Sequence, residues 1–286
     1  MKKNTTYAAD VLVTALAPAI WGTTYFVTTE FLPQGYPLHI AMLRALPAGL
    51  LMLLVRKLPQ GVWWPRSFIL GALNFSFFWA MLFVSAYRLP GGVAATVGAV
   101  QPLIVIGLSR LFLAVPVRPL AIVAGLLGIA GVALLVLTPG AGLDGIGVAA
   151  GLAGAVSMAF GTVLTRKWRP PVSNLTFTAW QLTAGGILLL PVAYALEPAL
   201  PSPTAANIFG MAYLGLIGAA LTYLLWFRGL ARIEPSAVAS LGFLSPVVAT
   251  LLGWLALGQS LAPAQIAGFV AVLFSIWLSQ RSQLPR

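Results

Sequence analysis

The sequence is poor in charge and in residues that bind metals. Only 7% of its 286 residues are charged, whereas a soluble domain carries about 25%. This small number of charges cannot cover a water-facing surface. Lipid must therefore be the main solvent of the folded chain. Cysteine is absent and His39 is the single histidine. These absences exclude disulfides, thiol chemistry and a multi-histidine metal site, and we expect no cofactor.

Hydrophobic residues make up 60% of the chain. They fall into ten segments close to the roughly 20 residues that a bilayer span needs. Transmembrane helices are predicted at 10–29, 38–55, 67–87, 92–113, 118–137, 145–165, 174–196, 207–229, 236–256 and 263–279. Short links rich in turn-forming residues, such as 32–35 and 139–142, join them. The predicted fold class is an all-α integral membrane protein of about ten transmembrane helices.

The net charge of +11 arises from lysines and arginines spaced between the apolar segments. This spacing argues against a nucleic-acid partner, which would need a basic patch. If the N-terminus is placed inside, fourteen basic residues fall on the inner side and only Arg88 falls in an outer loop. This distribution follows the positive-inside rule. We therefore expect both termini to be cytoplasmic. The first helix is expected to remain uncleaved, because it is long for a signal sequence and has no clear small-residue cleavage site.

The two halves of the chain resemble each other. A shift of 144 residues places Gly71 on Gly215, Phe83 on Phe227 and Pro102 on Pro246 without a gap. Each half has five spans, so the second copy must enter the membrane from the opposite side. We predict two inverted five-helix repeats, 1–139 and 140–286, around a central cavity. The first, third and fourth helices of each half are its expected walls.

The combined pattern resembles a known family. It consists of the five-plus-five helices, Trp21-Gly22 in the first helix, Leu43-Arg44 in the second, and the repeated Pro102 and Pro246. The chain is similar to the drug/metabolite transporter superfamily in its EamA-type branch, and looks most like the bacterial aromatic amino acid exporters. The resemblance implies a transporter in the bacterial inner membrane that works by alternating access.

One family signature is changed in this chain. Many members carry Leu-Gly-Glu where the fourth helix of a half ends. Here the second half reads Leu257-Gly258-Gln259 and the first reads Leu113-Ala114-Val115. The carboxylate is absent from both, so a family mechanism that depends on it does not carry over.

Polar residues within the spans are candidates for substrate binding, because burying them in lipid is costly. Arg44 is the one charge placed deep in a span, where it could bind a substrate carboxylate or form a gate. Alternatively it extends to the outer interface or binds a backbone carbonyl. Asn74, Gln101 and Gln181 are amides that must face a cavity or a partner helix. Ser245 precedes a proline, as Gln101 does.

Aromatic residues near the middle of the spans form a second group of candidates. Tryptophan and tyrosine usually prefer the membrane interfaces, so those at mid-depth should pack inward or line a pocket. The predicted substrate-binding aromatics are Trp21, Tyr25, Phe78, Trp79, Phe160 and Tyr223. Plain helix packing is the alternative for each. Pro102 and Pro246 are predicted hinges or gates, because proline breaks a helical hydrogen bond.

An aromatic cavity with a few amides suits a flat substrate with a zwitterionic group. We therefore predict export or facilitated passage of aromatic or hydrophobic amino acids. Export of drugs or organic cations is the alternative; a channel or a membrane-embedded enzyme would belong to another class, and no catalytic motif predicts an enzyme. With no carboxylate or histidine placed at mid-span, uncoupled transport is expected. The expected partners are the substrate and the bilayer; a monomer is compatible with the sequence, which leaves the oligomeric state open.

Overall fold

The computed structural model describes residues 2–54, 56–89, 91–137, 144–258 and 260–283. Within these residues, nine helices are long and apolar enough to cross a membrane, and a tenth apolar helix, Pro37–Leu53, is slightly shorter. The predicted fold class and all ten helices are confirmed. The first helix begins eight residues earlier than predicted, and the predicted link at 139–142 lies outside the described residues.

We number the helices α1 to α10 in chain order. Six are continuous: α1 (Lys2–Phe31), α2 (Pro37–Leu53), α5 (Pro119–Val136), α6 (Gly145–Lys167), α7 (Asn174–Leu196) and α10 (Pro263–Arg281). Two contain a π-helical turn: α3 (Trp63–Gly71, Ala72–Ser76, Phe77–Arg88) and α8 (Ala205–Ala212, Tyr213–Leu221, Thr222–Arg232). Two are interrupted: α4 (Gly91–Gly98, Gln101–Leu113) and α9 (Pro235–Leu241, Leu244–Leu257). The irregular helices are thus the third and fourth of each half.

Local sequence explains where many of these helices begin. Proline occupies the first turn of several, where its missing N–H costs no helical hydrogen bond: Pro37, Pro119, Pro235 and Pro263. Asp144 caps α6, since its carboxylate accepts a 2.7 Å hydrogen bond from the Gly147 N–H. Ser173 caps α7 in the same way, through the N–H of Thr176.

The fourth helix of each half ends at the signature segment, in a turn of the same left-handed backbone conformation. Ala114 follows α4 with φ 56°, and Gly258 follows α9 with φ 64°. The 144-residue shift places one on the other. Glycine adopts this left-handed conformation without strain and alanine does not, so the first half retains the turn at some cost.

Helices α2 and α7 pack against each other through glycines in reciprocal positions. A Cβ built on Gly49 would lie 2.5 Å from the backbone N of Thr183, and one built on Gly186 would lie 2.6 Å from the Cα of Leu46. A shift of 137 residues places Gly49 on Gly186 and Leu46 on Thr183. The same contact is therefore made twice, once from each half, at a separation that only glycine permits.

The first helix of each half packs mainly against the other half. Helix α1 contacts α8 and α9, and α6 contacts α3 and α4, while α5 packs along α10. Because α1 and α6 each pack against the opposite half, the irregular helices α3, α4, α8 and α9 surround the centre. The space between them is the candidate site.

We predict that Gly186→Ala destabilises the protein, because the new methyl group would collide with the backbone of α2. Overpacking of this kind costs about 1–3 kcal/mol. Gly107→Ala is the matched control, since nothing lies within 4 Å of a Cβ at that exposed helical position. Thermal unfolding of both purified variants in detergent checks this. Equal stability of the two variants would contradict the tight α2–α7 contact.

Candidate functional site

A cavity of about 700 Å³ lies at the centre of the bundle. All six helices predicted to form its walls contribute to it, and α2 and α5 contribute as well. Its lining includes Gln34 and Gly35 of the α1–α2 loop and Tyr87 near the end of α3, all of which are exposed. The cavity therefore opens at the end of the molecule that carries the α1–α2 loop.

Arg44 is held in the cavity wall by a chain of hydrogen bonds that joins α1, α2 and α8. Its Nη2 donates to the carbonyl oxygen of Gly218 at 2.6 Å. The hydroxyl of Thr222 donates to the same oxygen at 2.8 Å, and the indole N–H of Trp21 donates to that hydroxyl at 2.9 Å. The guanidinium group also lies over the ring of Trp79, 5.1 Å from its centre. The position of the charge is thus fixed from several sides.

The π-helical turn of α8 supplies the carbonyl that Arg44 binds. Gly218 lies within Tyr213–Leu221, where the backbone follows the wider i to i+5 pattern. Such turns interrupt the regular helix and are frequent at functional sites. The turn in α3, Ala72–Ser76, lies at the related position of the first half, since the 144-residue shift places Asn74 on Gly218.

An aromatic cluster forms the closed floor of the cavity. The ring of Trp21 lies 5.1 Å from that of Tyr223 and 5.1 Å from that of Trp226. Tyr223 in turn lies 4.5 Å from Phe75, which packs edge-on against Trp79 at 5.4 Å. These separations are those of favourable aromatic pairs. The cluster is a preformed apolar surface directly beside the Arg44 guanidinium.

Several polar atoms in the cavity wall are buried and have no hydrogen-bond partner among the described residues. They are the hydroxyl oxygen of Thr24, Nε2 of Gln101 and the indole N of Trp226. Buried polar groups are normally paired. These three atoms have almost no accessible surface, however, so they do not face the open space of the cavity.

The structure brings most of the predicted site residues to this cavity: Trp21, Arg44, Phe78, Trp79, Gln101, Tyr223 and Ser245 all line it. Pro102 and Pro246 also line it, and each lies just after the break in its interrupted helix. A proline at such a break costs no further hydrogen bond. Tyr25 is on α1, and its side chain lies outside the described residues.

The structure places three predicted site residues away from the cavity. Asn74 and Gln181 are fully buried and bind each other at 2.9 Å; Asn74 also donates to Thr165 at 3.1 Å. Both side chains therefore face partner helices, although Oδ1 of Asn74 and Nε2 of Gln181 have no partner among the described residues. Phe160 packs edge-on against Phe112 at 5.9 Å. For these three the helix-packing alternative describes the observed contacts.

The end of the molecule opposite the opening is closed by polar contacts that sequence reasoning missed. The carboxylate of Asp10 on α1 accepts hydrogen bonds from Arg228 at 2.7 Å and from Arg232 at 3.3 Å on α8. Arg118 and Glu234 form a second ion pair at 3.2 Å. The spacing of Arg228 and Arg232, one helical turn apart, was the available signal. Their partner lies more than 200 residues away, which no local pattern reveals.

A buried pair joins α2 and α7 near the open end. Nδ1 of His39 lies 2.8 Å from a carboxylate oxygen of Glu197. The same carboxylate accepts hydrogen bonds from the backbone N–H groups of Leu38 and His39, at 2.6 and 2.8 Å. Glu197 therefore caps the start of α2 from the end of α7. Neither side chain lines the cavity.

Comparison with known proteins agrees with this architecture. The model of the EamA-like transporter family matches the chain twice, at residues 9–137 and 145–280. Protein PecM of Dickeya dadantii (strain 3937) is 48% identical over 266 residues, covering 92% of this chain and 90% of that protein. The uncharacterized inner membrane transporter YedA of Escherichia coli (strain K12) is 30% identical over 267 residues, 91% of this chain and 86% of its own length. A crystal structure with 20% identity superposes with a TM-score of 0.82, covering 95% and 97% of the two chains, and so shares the fold.

We predict that Asn74→Leu destabilises the protein while Gln101→Met does not. The first substitution leaves Thr165 and Gln181 buried without their amide partner, which costs about 1–3 kcal/mol. The second removes an amide N–H that has no described partner. Thermal unfolding in detergent, followed by circular dichroism, separates the two. The assignment of Asn74 to packing would be wrong if its variant were as stable as the Gln101 variant.

Proposed function

The chain belongs to the EamA-like transporter family and is a multi-pass membrane transporter of small molecules, and we propose that its substrates are aromatic amino acids. The observation that carries this proposal is the position of the Arg44 guanidinium beside the aromatic cluster of Trp21, Trp79, Tyr223 and Trp226. The charge can bind a carboxylate while the rings stack on an aromatic side chain. The cavity volume of about 700 Å³ is ample for such a molecule.

In this proposal the chain consists of two inverted repeats, 1–139 and 140–286, and works by alternating access. The reciprocal contacts of Gly49 and Gly186 and the twofold match of the family model support the repeat. We place the protein in the bacterial inner membrane with both termini in the cytoplasm. The cavity then opens to the outside, and the ion pairs of Asp10 close the cytoplasmic end.

The same geometry argues for uncoupled transport, driven by the substrate's own gradient. No histidine or carboxylate of the described residues lines the cavity. The paired Asp10 and the buried His39 both lie outside it. A proton therefore finds no carboxylate or imidazole among the described residues that line the cavity itself. The positive charge of Arg44 also argues against organic cations, the alternative substrate class.

The central test is uptake of labelled phenylalanine and tryptophan into vesicles that contain only this protein, without an ion gradient. We expect saturable uptake that unlabelled aromatic amino acids compete away, and none in protein-free vesicles. Failure of uptake under these conditions, with recovery in a pH gradient, would overturn uncoupled transport. Recovery only with an organic cation as substrate would overturn the substrate class.

Two phenylalanines provide matched variants for the same assay. Phe78 lines the cavity and Phe160 does not. We expect Phe78→Ala to raise the KM for phenylalanine by about threefold to tenfold, the equivalent of one lost aromatic contact. Phe160→Ala should leave KM unchanged. A larger effect at Phe160 would contradict the assignment of the cavity as the binding site.

Labelling of single cysteines tests the direction of the opening, because the chain has no native cysteine. We expect Ser245→Cys in the cavity wall to react with an impermeant maleimide from outside cells, and poorly in inverted vesicles. A double variant that combines Ser245→Cys with Asp10→Asn loses the negative charge that pairs with Arg228 and Arg232. Its cysteine should react more in inverted vesicles. Ala179→Cys, fully buried on α7, is the unreactive control. Equal labelling from both sides would contradict a closed cytoplasmic end.

A further inference from the structure

The charge in the cavity lining is of one sign. The chain has five acidic residues, and none of them lines the cavity. Four lie beside a basic side chain elsewhere: Asp10 beside Arg228, Asp144 beside Arg88, Glu197 beside His39 and Glu234 beside Arg118. The fifth, Glu30, is exposed near the end of α1. The lining thus has no formal negative charge.

Among the described residues of the lining, the one formal charge is the positive charge of Arg44. Its guanidinium group is fixed by the carbonyl of Gly218 and by the ring of Trp79. Guanidinium groups have five N–H donors in a planar arrangement that matches a carboxylate. In a cavity with apolar walls this charge attracts an anion more strongly than it would in water.

The uncharged polar groups of the lining do not select a sign of charge. They include the hydroxyl groups of Thr28 and Ser245, which can donate or accept a hydrogen bond. Any preference of the cavity for one ionic group over another therefore comes from Arg44.

The amino group of an amino acid therefore finds no counter-charge among the described residues of this cavity. Arg44 repels it, and only hydroxyl oxygens and the ring faces of the aromatic cluster attract it. One of those rings, Trp79, already lies under the Arg44 guanidinium. Transfer of an ammonium group out of water without a counter-charge is unfavourable.

We propose that this cavity selects an aromatic ring and a carboxylate and does not require the amino group, so that aromatic monocarboxylates are also substrates. This inference rests on the proposed function, in which the same cavity binds the substrate. The carboxylate binds Arg44 and the ring lies against Trp21 and Tyr223. Removal of the amino group then relieves a repulsion and loses no ion pair.

The test compares three ligands that differ in one group each: phenylalanine, hydrocinnamate, which lacks the amino group, and phenethylamine, which lacks the carboxylate. Direct binding of each labelled ligand to the purified full-length protein in lipid nanodiscs is measured by equilibrium dialysis at neutral pH. We expect hydrocinnamate to bind at least as tightly as phenylalanine. Phenethylamine should bind at least about tenfold more weakly than either.

Variants at Arg44 test the role of the charge. Arg44→Gln should weaken hydrocinnamate binding by about tenfold or more, and Arg44→Lys should retain part of it, because lysine keeps the charge without the planar donors. Lys57→Gln removes an exposed positive charge outside the cavity and should leave binding unchanged. If the glutamine variant fails to fold, the lysine variant and the three-ligand comparison on the native protein still show whether the cavity selects a carboxylate.

The outcomes separate this inference from the proposed function. Binding of phenylalanine without hydrocinnamate would overturn the inference and leave the proposed function standing. Binding of hydrocinnamate without phenylalanine would support the inference and overturn amino acids as the substrates. Binding of phenethylamine alone, or of none of the three, would overturn both.

Discussion

The contact between Arg44 and the carbonyl of Gly218 is the interaction on which the rest of the cavity depends. A cation within the membrane is costly unless protein groups replace its water. Here the π-helical turn of α8 presents the carbonyl, and Trp79 covers the guanidinium group at 5.1 Å. Thr222 shares the same oxygen and in turn fixes Trp21. One charge therefore determines where two helices and two indole rings lie.

The position in α7 that corresponds to Arg44 carries a different side chain with a different contact. The 137-residue shift that relates α2 to α7 places Arg44 on Gln181. Both side chains reach the π-helical turn of a facing helix, but Gln181 meets Asn74, whose amide N–H donates to its carbonyl oxygen at 2.9 Å. The first arrangement contributes a charge to the cavity, and the second forms a polar contact between helices. Similar backbones thus provide one candidate binding residue and one contact between helices.

Sequence patterns predicted the ten helices because bilayer thickness fixes the length of an apolar span. They also identified Arg44 and four of the nine aromatic residues in the described lining, since such residues are rare at mid-span. They did not distinguish Gln101, which lines the cavity, from Asn74 and Gln181, which pair. That difference depends on how each helix is rotated about its axis, and the helices are apolar on all sides. The contact of Asp10 with Arg228 was also invisible, because the two residues are far apart in the chain.

The distribution of polar and apolar contacts is suited to the proposed alternating-access cycle. At the closed end, Arg228 and Arg232 are partly exposed, whereas the side chain of Asp10, with which both pair, is only 12% exposed. Opening of this end therefore requires water to reach the Asp10 carboxylate as the pairs separate. The aromatic cluster is buried and remains packed, so the binding surface need not be rebuilt in each state. Opening then requires movement mainly at the breaks before Pro102 and Pro246, where α4 and α9 already lack continuous helical hydrogen bonding. In the proposed cycle, the two ends open in turn around a rigid site, and one cavity thereby faces each side of the membrane.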